Sequence, residues 1–244
     1  MSHFRCVVAR QNGAVAGPIT FAHRGARAVL PENTLPAFRR ALDEGASGLE
    51  SDAWVAGDGE VVLVHDPVVR AGLARLRVER EPSGRLVRHG IPRLVELYRE
   101  LGSDFELSLD LKGPHAGTAV VEVARRHGDP ARLWLCTPDL AELQRLRASA
   151  PDVRLVHSQR RRRIEDPLER HAARLKELGV DAMNMHHTEW TAGIVALFHR
   201  FDVRAFAWDA QEVRQLRAVL DMRIDAVYCD RPDRMVATVS EWTS

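Results

Sequence analysis

The stretch GLESDAWVAGDGEVVLVH, residues 48–65, decides the fold. Gly48–Asp52 and Val61–His65 both read as strands, yet the segment between them is too short for a helix. It contains Asp58-Gly59, a strong short-range hairpin signal. Val61–His65 is therefore the return arm of a hairpin, which carries His65 back toward Asp52. Working outward, further strands are expected at Ile19–His23, Phe105–Leu111, Arg132–Cys136, Val153–His157, Ala182–His186, Val203–Trp208 and Ala226–Cys229. Amphipathic helical stretches such as Thr34–Glu44, Asp139–Ala150, Ile164–Leu178 and Ala210–Leu220 separate most of them.

With the hairpin arm set aside, eight strands alternate with helices, and most are continuous apolar runs, as in a parallel sheet covered on both faces. The expected fold class is α/β: a single (β/α)8 TIM barrel over residues 19–244 with a short β-hairpin extension after the second strand, preceded by an N-terminal extension at 1–18. A chain of 244 residues is long enough for one such barrel. A doubly wound open sheet is the rival, but no G-x-G-x-x-G follows the first strand. Residues 66–92 show no clear strand and read as a surface excursion.

Apolar residues at 45% and charged residues at 28% describe an ordinary globule and exclude wholesale disorder. Thirty-five basic side chains, all arginine except Lys112 and Lys176, stand against 34 acidic ones, a formal charge of +1. No global basic field argues for nucleic acid or an anionic membrane. The run Arg160–Arg163 reads as a solvated loop or helix start. No apolar run is long enough to anchor the chain stably in a membrane, and the first residues lack a signal-peptide core. Cys6, Cys136 and Cys229 are odd in number and far apart, which points to a reducing, cytoplasmic setting.

In α/β barrels chemistry lies at the C-terminal ends of the strands. There the sequence has His23-Arg24-Gly25, Glu50-Ser51-Asp52, His65-Asp66, Asp110-Leu111-Lys112 and Trp208-Asp209. Glu50 and Asp52 are two apart and share one strand face, as do Asp110 and Lys112. Three carboxylates, Glu50, Asp52 and Asp110, make an oxygen-rich set suited to a hard divalent cation, Mg2+ or Ca2+. Arg24 and Lys112 would answer a phosphate, and His23 with His65 could form an acid–base pair. The competing reading is an internal salt-bridge network. Five segments converging on one end of the barrel weigh against it. Glu32 sits in a turn after Pro31, either near a phosphate or at a helix start beside Thr34. Trp208 is a core or rim aromatic, or a wall for substrate. His157, His186 and His187 read as satisfied structural groups, and His171 carries no signal.

This constellation resembles the glycerophosphodiester phosphodiesterase family. The matching text is Ala22-His23-Arg24-Gly25-Ala26, Pro31-Glu32-Asn33-Thr34, Gly45-Ala46, Glu50-x-Asp52, Asp58-Gly59, Val64-His65-Asp66-Pro67 and Ile91-Pro92-Arg93-Leu94. Phe206-Ala207-Trp208 and Asp230-x-Pro232-Asp233 resemble its closing motifs. The resemblance implies a barrel enzyme that cleaves glycerophosphodiesters, small molecules, to glycerol 3-phosphate and an alcohol. It implies His23 and His65 as acid and base, Glu50 and Asp52 as metal ligands, and Arg24 as the phosphate-binding arginine. Lys112 matches the lysine of an E-x-K motif in which Asp110 replaces the usual glutamate. Cys136-Thr137 replaces Ser-Phe, and the usual Gly- and Thr-rich segment is missing around Val68–Leu73. Two rival readings fit the same residues: a related phospholipase-type enzyme on lysophospholipid or inositol lipid, and a non-catalytic glycerophosphoryl-binding barrel.

Overall fold

The computed structural model describes residues 17–72 and 74–244. The strands are β1 (Ile19–His23), β2 (Gly48–Val55), β3 (Val61–Leu63), β4 (Val68–Ala71), β5 (Ala74–Arg77), β6 (Glu106–Leu111), β7 (Leu133–Thr137), β8 (Arg154–Ser158), β9 (Ala182–His186), β10 (Arg204–Trp208) and β11 (Ala226–Cys229). The helices are α1 (Leu35–Asp43), α2 (Ser83–Val87), α3 (Leu94–Leu101), α4 (Ala116–His127), α5 (Leu140–Ser149), α6 (Leu168–Glu177), α7 (Ala192–Arg200), α8 (Val213–Asp221) and α9 (Pro232–Thr243). Neighbouring strands run parallel in the order β1-β11-β10-β9-β8-β7-β6-β2, and a β1–β2 pairing closes the ring. That closed eight-stranded barrel is the expected architecture. Most of the expected N-terminal extension, including Cys6, lies outside the described residues.

The hairpin read from Asp58-Gly59 is present. β2 runs on past Asp52 because Ala53, Trp54 and Val55 pair antiparallel with Leu63, Val62 and Val61. The reading of residues 66–92 needs correction: β4 and β5 form a second antiparallel hairpin there, Val69 opposite Leu76. Leu76 and Val69 pack with Val62, Val78, Leu86 and Ile91 into a small satellite core under this excursion. Strands of four residues with arginines between their apolar positions leave almost no periodic signal, so only packing on the neighbouring hairpin defines them.

Alternation along each strand divides the core into two layers. One set of side chains packs outward against the helices, including Leu49, Leu107, Leu109, Leu135 and Leu155. The other fills the barrel: Phe21, Trp134, Val156, Ala182, Phe206, Ala226 and Tyr228. Phe21 stacks on Tyr228 with centroids 4.8 Å apart. Its register partner on β2 is Gly48, where an added Cβ would lie 2.7 Å from the Phe21 ring. Gly48 is therefore the space into which Phe21 fits. Nearer the N-terminal ends of the strands, Trp134 Nε1 donates to Glu106 at 2.6 Å, and the Arg154 and Arg204 guanidiniums lie 5.9 and 5.3 Å from the indole. Aromatic filling below leaves the polar inward positions at the C-terminal ends as the floor of a cavity.

Candidate active site

Register assembles that floor. His23 is paired with Glu50, Glu50 with Ser108, and Asp52 with Asp110, so residues far apart in sequence share one level of the barrel. One carboxylate oxygen from each of Glu50, Asp52 and Asp110 falls within 4.8 Å of the others. Glu50 and Asp52 are buried. Burial and then the neighbouring carboxylates push Glu50 up to about 8, although the His23 charge works against this. Asp110 is also raised, by burial first, against the opposing pull of Lys112. Asp52 Oδ2 is buried without a hydrogen-bond partner. Like charges held this close are costly unless positive charge joins them. All-oxygen donors with one unpartnered carboxylate oxygen therefore fit a hard divalent cation.

Two cations of the chain flank this cluster. Lys112 Nζ lies 3.1 Å from Asp52 and 3.4 Å from Asp110, and these two carboxylates hold its pKa above the usual value despite burial. Arg24 Nε faces Asp52 Oδ2 at 3.4 Å as an ion pair without hydrogen-bond alignment, while Nη1 donates to Glu32 at 3.0 Å. A tight turn after β1 brings Arg24 there. Arg24 adopts φ 55°, and its backbone N–H donates to Glu50 Oε2 at 3.0 Å. Gly25 follows at φ 78°, where a Cβ would stand 2.7 Å from the Ala37 carbonyl carbon. Left-handed backbone at a non-glycine costs roughly 1–2 kcal/mol. Here the bonds to Glu50 and from Asn33 N–H to the Arg24 carbonyl, at 3.0 Å, offset it. Asn33 in turn accepts from Ser51 Oγ at 2.7 Å, which ties the turn to the outward face of β2.

His23 has a partner that sequence reading did not assign. Its Nδ1 donates to Asp230 Oδ1 at 2.6 Å, and its Nε2 lies 3.7 Å from Glu50 Oε2. Burial alone would lower the pKa of His23, but Glu50 and Asp230 outweigh it and the net shift is upward. Asp230 moves the other way: burial opposes its charge, but His23 and Arg27 hold it below the ordinary carboxylate range. Arg27 Nη2 also meets Glu32 at 3.1 Å. Asp230 stands just after β11, in the Asp230-x-Pro232-Asp233 motif. The signal was there, but its partner was not.

A cavity of about 640 Å³ opens above these groups, lined by His23, Arg24, Glu50, Asp110, Lys112 and Trp208 among others. Asp52 lies beneath it, and Glu32 stands behind Arg24. His65 is apart from the others. Its ring is 42% exposed, bonds Asp66 at 2.8 Å and does not line the cavity. The backbone still returns beside the site, with Val64 N–H donating to the Asp52 carbonyl at 2.9 Å. The arginine run forms a short, exposed 3-10 turn after β8, in keeping with a solvated loop or helix start, and Arg160, Arg162 and Arg163 also line the cavity. His157 is satisfied by Pro138 and His171, and His186 by Asp209 and Thr188. Cys136 and Cys229 are free and buried. Among the described residues no helix is long and apolar enough to cross a membrane.

Fold and site together define a (β/α)8 barrel with a cation-ready acidic centre and two basic groups at the mouth of its strands. The sequence profile of the glycerophosphoryl diester phosphodiesterase family matches residues 23–75 and 112–234, and the chain belongs to that family. A glycerophosphodiester phosphodiesterase of Caldanaerobacter subterraneus subsp. tengcongensis is 21% identical over 91% of this chain and 97% of its own length. The crystal structure of a glycerophosphodiester phosphodiesterase from Thermotoga maritima superposes with TM-score 0.79 at 22% identity, covering 90% of this chain and 97% of that one. A phosphodiesterase from Oleispira antarctica, solved in complex with its product sn-glycerol-3-phosphate, gives TM-score 0.78 at 21% identity over 92% and 97% of the two chains.

Proposed function

We propose that this chain hydrolyses glycerophosphodiesters to glycerol 3-phosphate and an alcohol, with residues 19–244 acting as one catalytic domain in the cytoplasm. The observation that carries the reading is the buried carboxylate cluster flanked by Arg24 and Lys112, with His23 3.7 Å from Glu50. Glu50, Asp52 and Asp110 would hold a divalent cation, Mg2+ or Ca2+, which would supply positive charge to polarise a phosphate oxygen. Arg24 and Lys112 bind the phosphate and neutralise the charge that develops on it. Glu32 keeps Arg24 aimed at the phosphate, and Trp208 walls the cavity beside the substrate.

His23 and His65 share the proton transfers. One takes the proton from the attacking hydroxyl and the other protonates the leaving alcohol. His23 suits either role: Asp230 fixes its Nδ1–H and leaves Nε2 facing the cavity side near Glu50. His65 is held by Asp66 on the hairpin return, 42% exposed and outside the cavity lining, so its share in the proton transfers rests on the family motif Val64-His65-Asp66-Pro67. Two free, buried cysteines accord with a reducing compartment. A panel of glycerophosphodiesters assayed with chelator, then with Mg2+ or Ca2+ restored, tests the reading. Chelation should abolish turnover and either ion should restore it, while Glu50→Gln and Asp52→Asn weaken metal binding measured by calorimetry. Full turnover by metal-free protein overturns the cation, and no turnover of any diester under any condition overturns the function.

A further inference from the structure

The cavity has two chemically different ends. One holds the carboxylates, Arg24 and Lys112. The other runs along the C-terminal ends of β8, β9 and β10, where Ser158, Gln159, Arg160, Arg162, Arg163, Asn184 and Trp208 line it. Arg160 is fixed in place: its Cζ lies 4.3 Å from the Trp208 ring centroid and its Nη1 3.7 Å from Glu189. Arg162 and Arg163 are exposed, and among the described residues neither has a carboxylate within ion-pair distance. The other two arginines that line the cavity, Arg24 and Arg160, are both paired with carboxylates. The opposing acid, Asp209, is already engaged by His186 at 3.1 Å.

A second observation comes from the same wall. Asn184 is 5% exposed, and its Nδ2 donates to Ser158 Oγ at 3.3 Å, but its Oδ1 is buried with no partner. An unpaired buried acceptor lining the same cavity as two guanidiniums without ion-pair partners suits a ligand that brings both a hydroxyl donor and an anion. A glycerol arm offers hydroxyls but no charge, and a choline or ethanolamine arm brings charge of the wrong sign. Resting on the reading of the site as a glycerophosphodiesterase, we propose that the alcohol arm of its substrate carries a phosphate group of its own, received by Arg162 and Arg163. A hydroxyl of that same arm would donate to Asn184 Oδ1. Guanidinium forks match phosphate oxygens in pairs, and a phosphate monoester brings about −1.5 to −2 charges at neutral pH.

The test compares three diesters with the same reacting half: glycerophosphoglycerol, its terminal phosphate monoester, and glycerophosphocholine. At low salt the wild type should show kcat/KM about tenfold higher for the phosphorylated arm than for the neutral one, from two partly exposed charge pairs. That preference should fall as salt rises. In Arg162→Gln/Arg163→Gln the ratio between the two substrates should collapse toward one, mainly through KM. Arg162→Glu/Arg163→Glu should turn the ranking over in favour of glycerophosphocholine. A wild type that shows no preference for the phosphorylated arm overturns the inference, as does an arginine variant that keeps the wild-type ratio. So does a preference that appears only when anionic phosphatidylglycerol vesicles are present, since the arginines would then meet a lipid surface. In each of these outcomes hydrolysis of glycerophosphoglycerol still stands as evidence for the function. If none of the three diesters is cleaved, it is the function that fails.

Discussion

His23 and His157 occupy similar places, each near the C-terminal end of a barrel strand and each largely shielded from water, and their proton affinities move in opposite directions. His23 on β1 is clasped by Asp230 and faces Glu50, and its pKa rises. His157 on β8 has no carboxylate partner. Burial, and next the neighbouring His171, push it down to about 4. Hydrogen bonds say the same thing. His157 Nε2 donates to the Pro138 carbonyl at 3.2 Å, so its Nδ1 accepts from His171 Nε2 at 3.1 Å. A second proton on His157 would set two N–H groups against each other unless His171 moved its own proton to Nδ1. Both rings pay for desolvation, yet one is built to carry a proton and the other to refuse it. The neighbouring charge separates them, and burial does not.

The sharpest way to break that comparison is to truncate each ring. His23→Ala should lower kcat on a glycerophosphodiester by about 10²–10⁴-fold, the usual worth of a general acid or base. His157→Gln should keep kcat within the same order of magnitude and lose thermal stability instead. Steady-state kinetics and thermal melts of both variants decide it. Equal losses of kcat would erase the distinction between the two rings.

Titrating stability probes the pair from the other side. A histidine whose folded pKa lies near 4 and whose unfolded pKa is 6.5 stabilises the fold fully above pH 6.5. The contribution drains away as pH falls toward 4, because the unfolded chain takes up the proton first. The upper bound for His157 is about 3 kcal/mol, at 1.36 kcal/mol per pKa unit. His171 is lowered too, and adds in the same sense. Denaturant unfolding between pH 7 and 4 should show a falling stability in the wild type and a flatter profile in His157→Gln. A wild-type profile that is level across that window would refute the assignment of His157 as a neutral group.

The smallest of these effects concerns the partner of His23. Asp230→Asn retains a hydrogen-bonding side chain but removes the charge; a hydrogen bond to a charged group is worth about 1.5–3 kcal/mol, so the expected cost is about 10–100-fold in activity. The pKa of His23, followed by NMR of its imidazole protons, should fall with it. A fall in kcat without any movement of that pKa would mean that Asp230 only supports the local backbone.

Much of this molecule was legible before folding was considered. Two-residue spacing put Glu50 with Asp52 and Asp110 with Lys112 on single strand faces, and β1, β9 and β11 begin and end where apolar runs meet polar residues. Asp58-Gly59 set the hairpin that makes β3 an extra strand and not a barrel member. Those features are local: they follow from side-chain alternation and turn chemistry within a few residues. The short β4–β5 hairpin was not legible, because strands of that length need a neighbouring surface to define them.

Only the closed barrel decided the rest. His23 and Asp230 are 207 positions apart, and no spacing rule links them until β1 pairs with β11. His157 and His171 meet because α6 folds back onto β8, which turns two unremarkable histidines into a proton-refusing pair. Whether four arginines in a row face water or a cavity likewise depends on how the turn after β8 leaves the barrel. Sequence determined which groups stand at each strand end. Tertiary structure decided which of them became neighbours, because electrostatic interaction falls with distance through space and takes no account of separation along the chain.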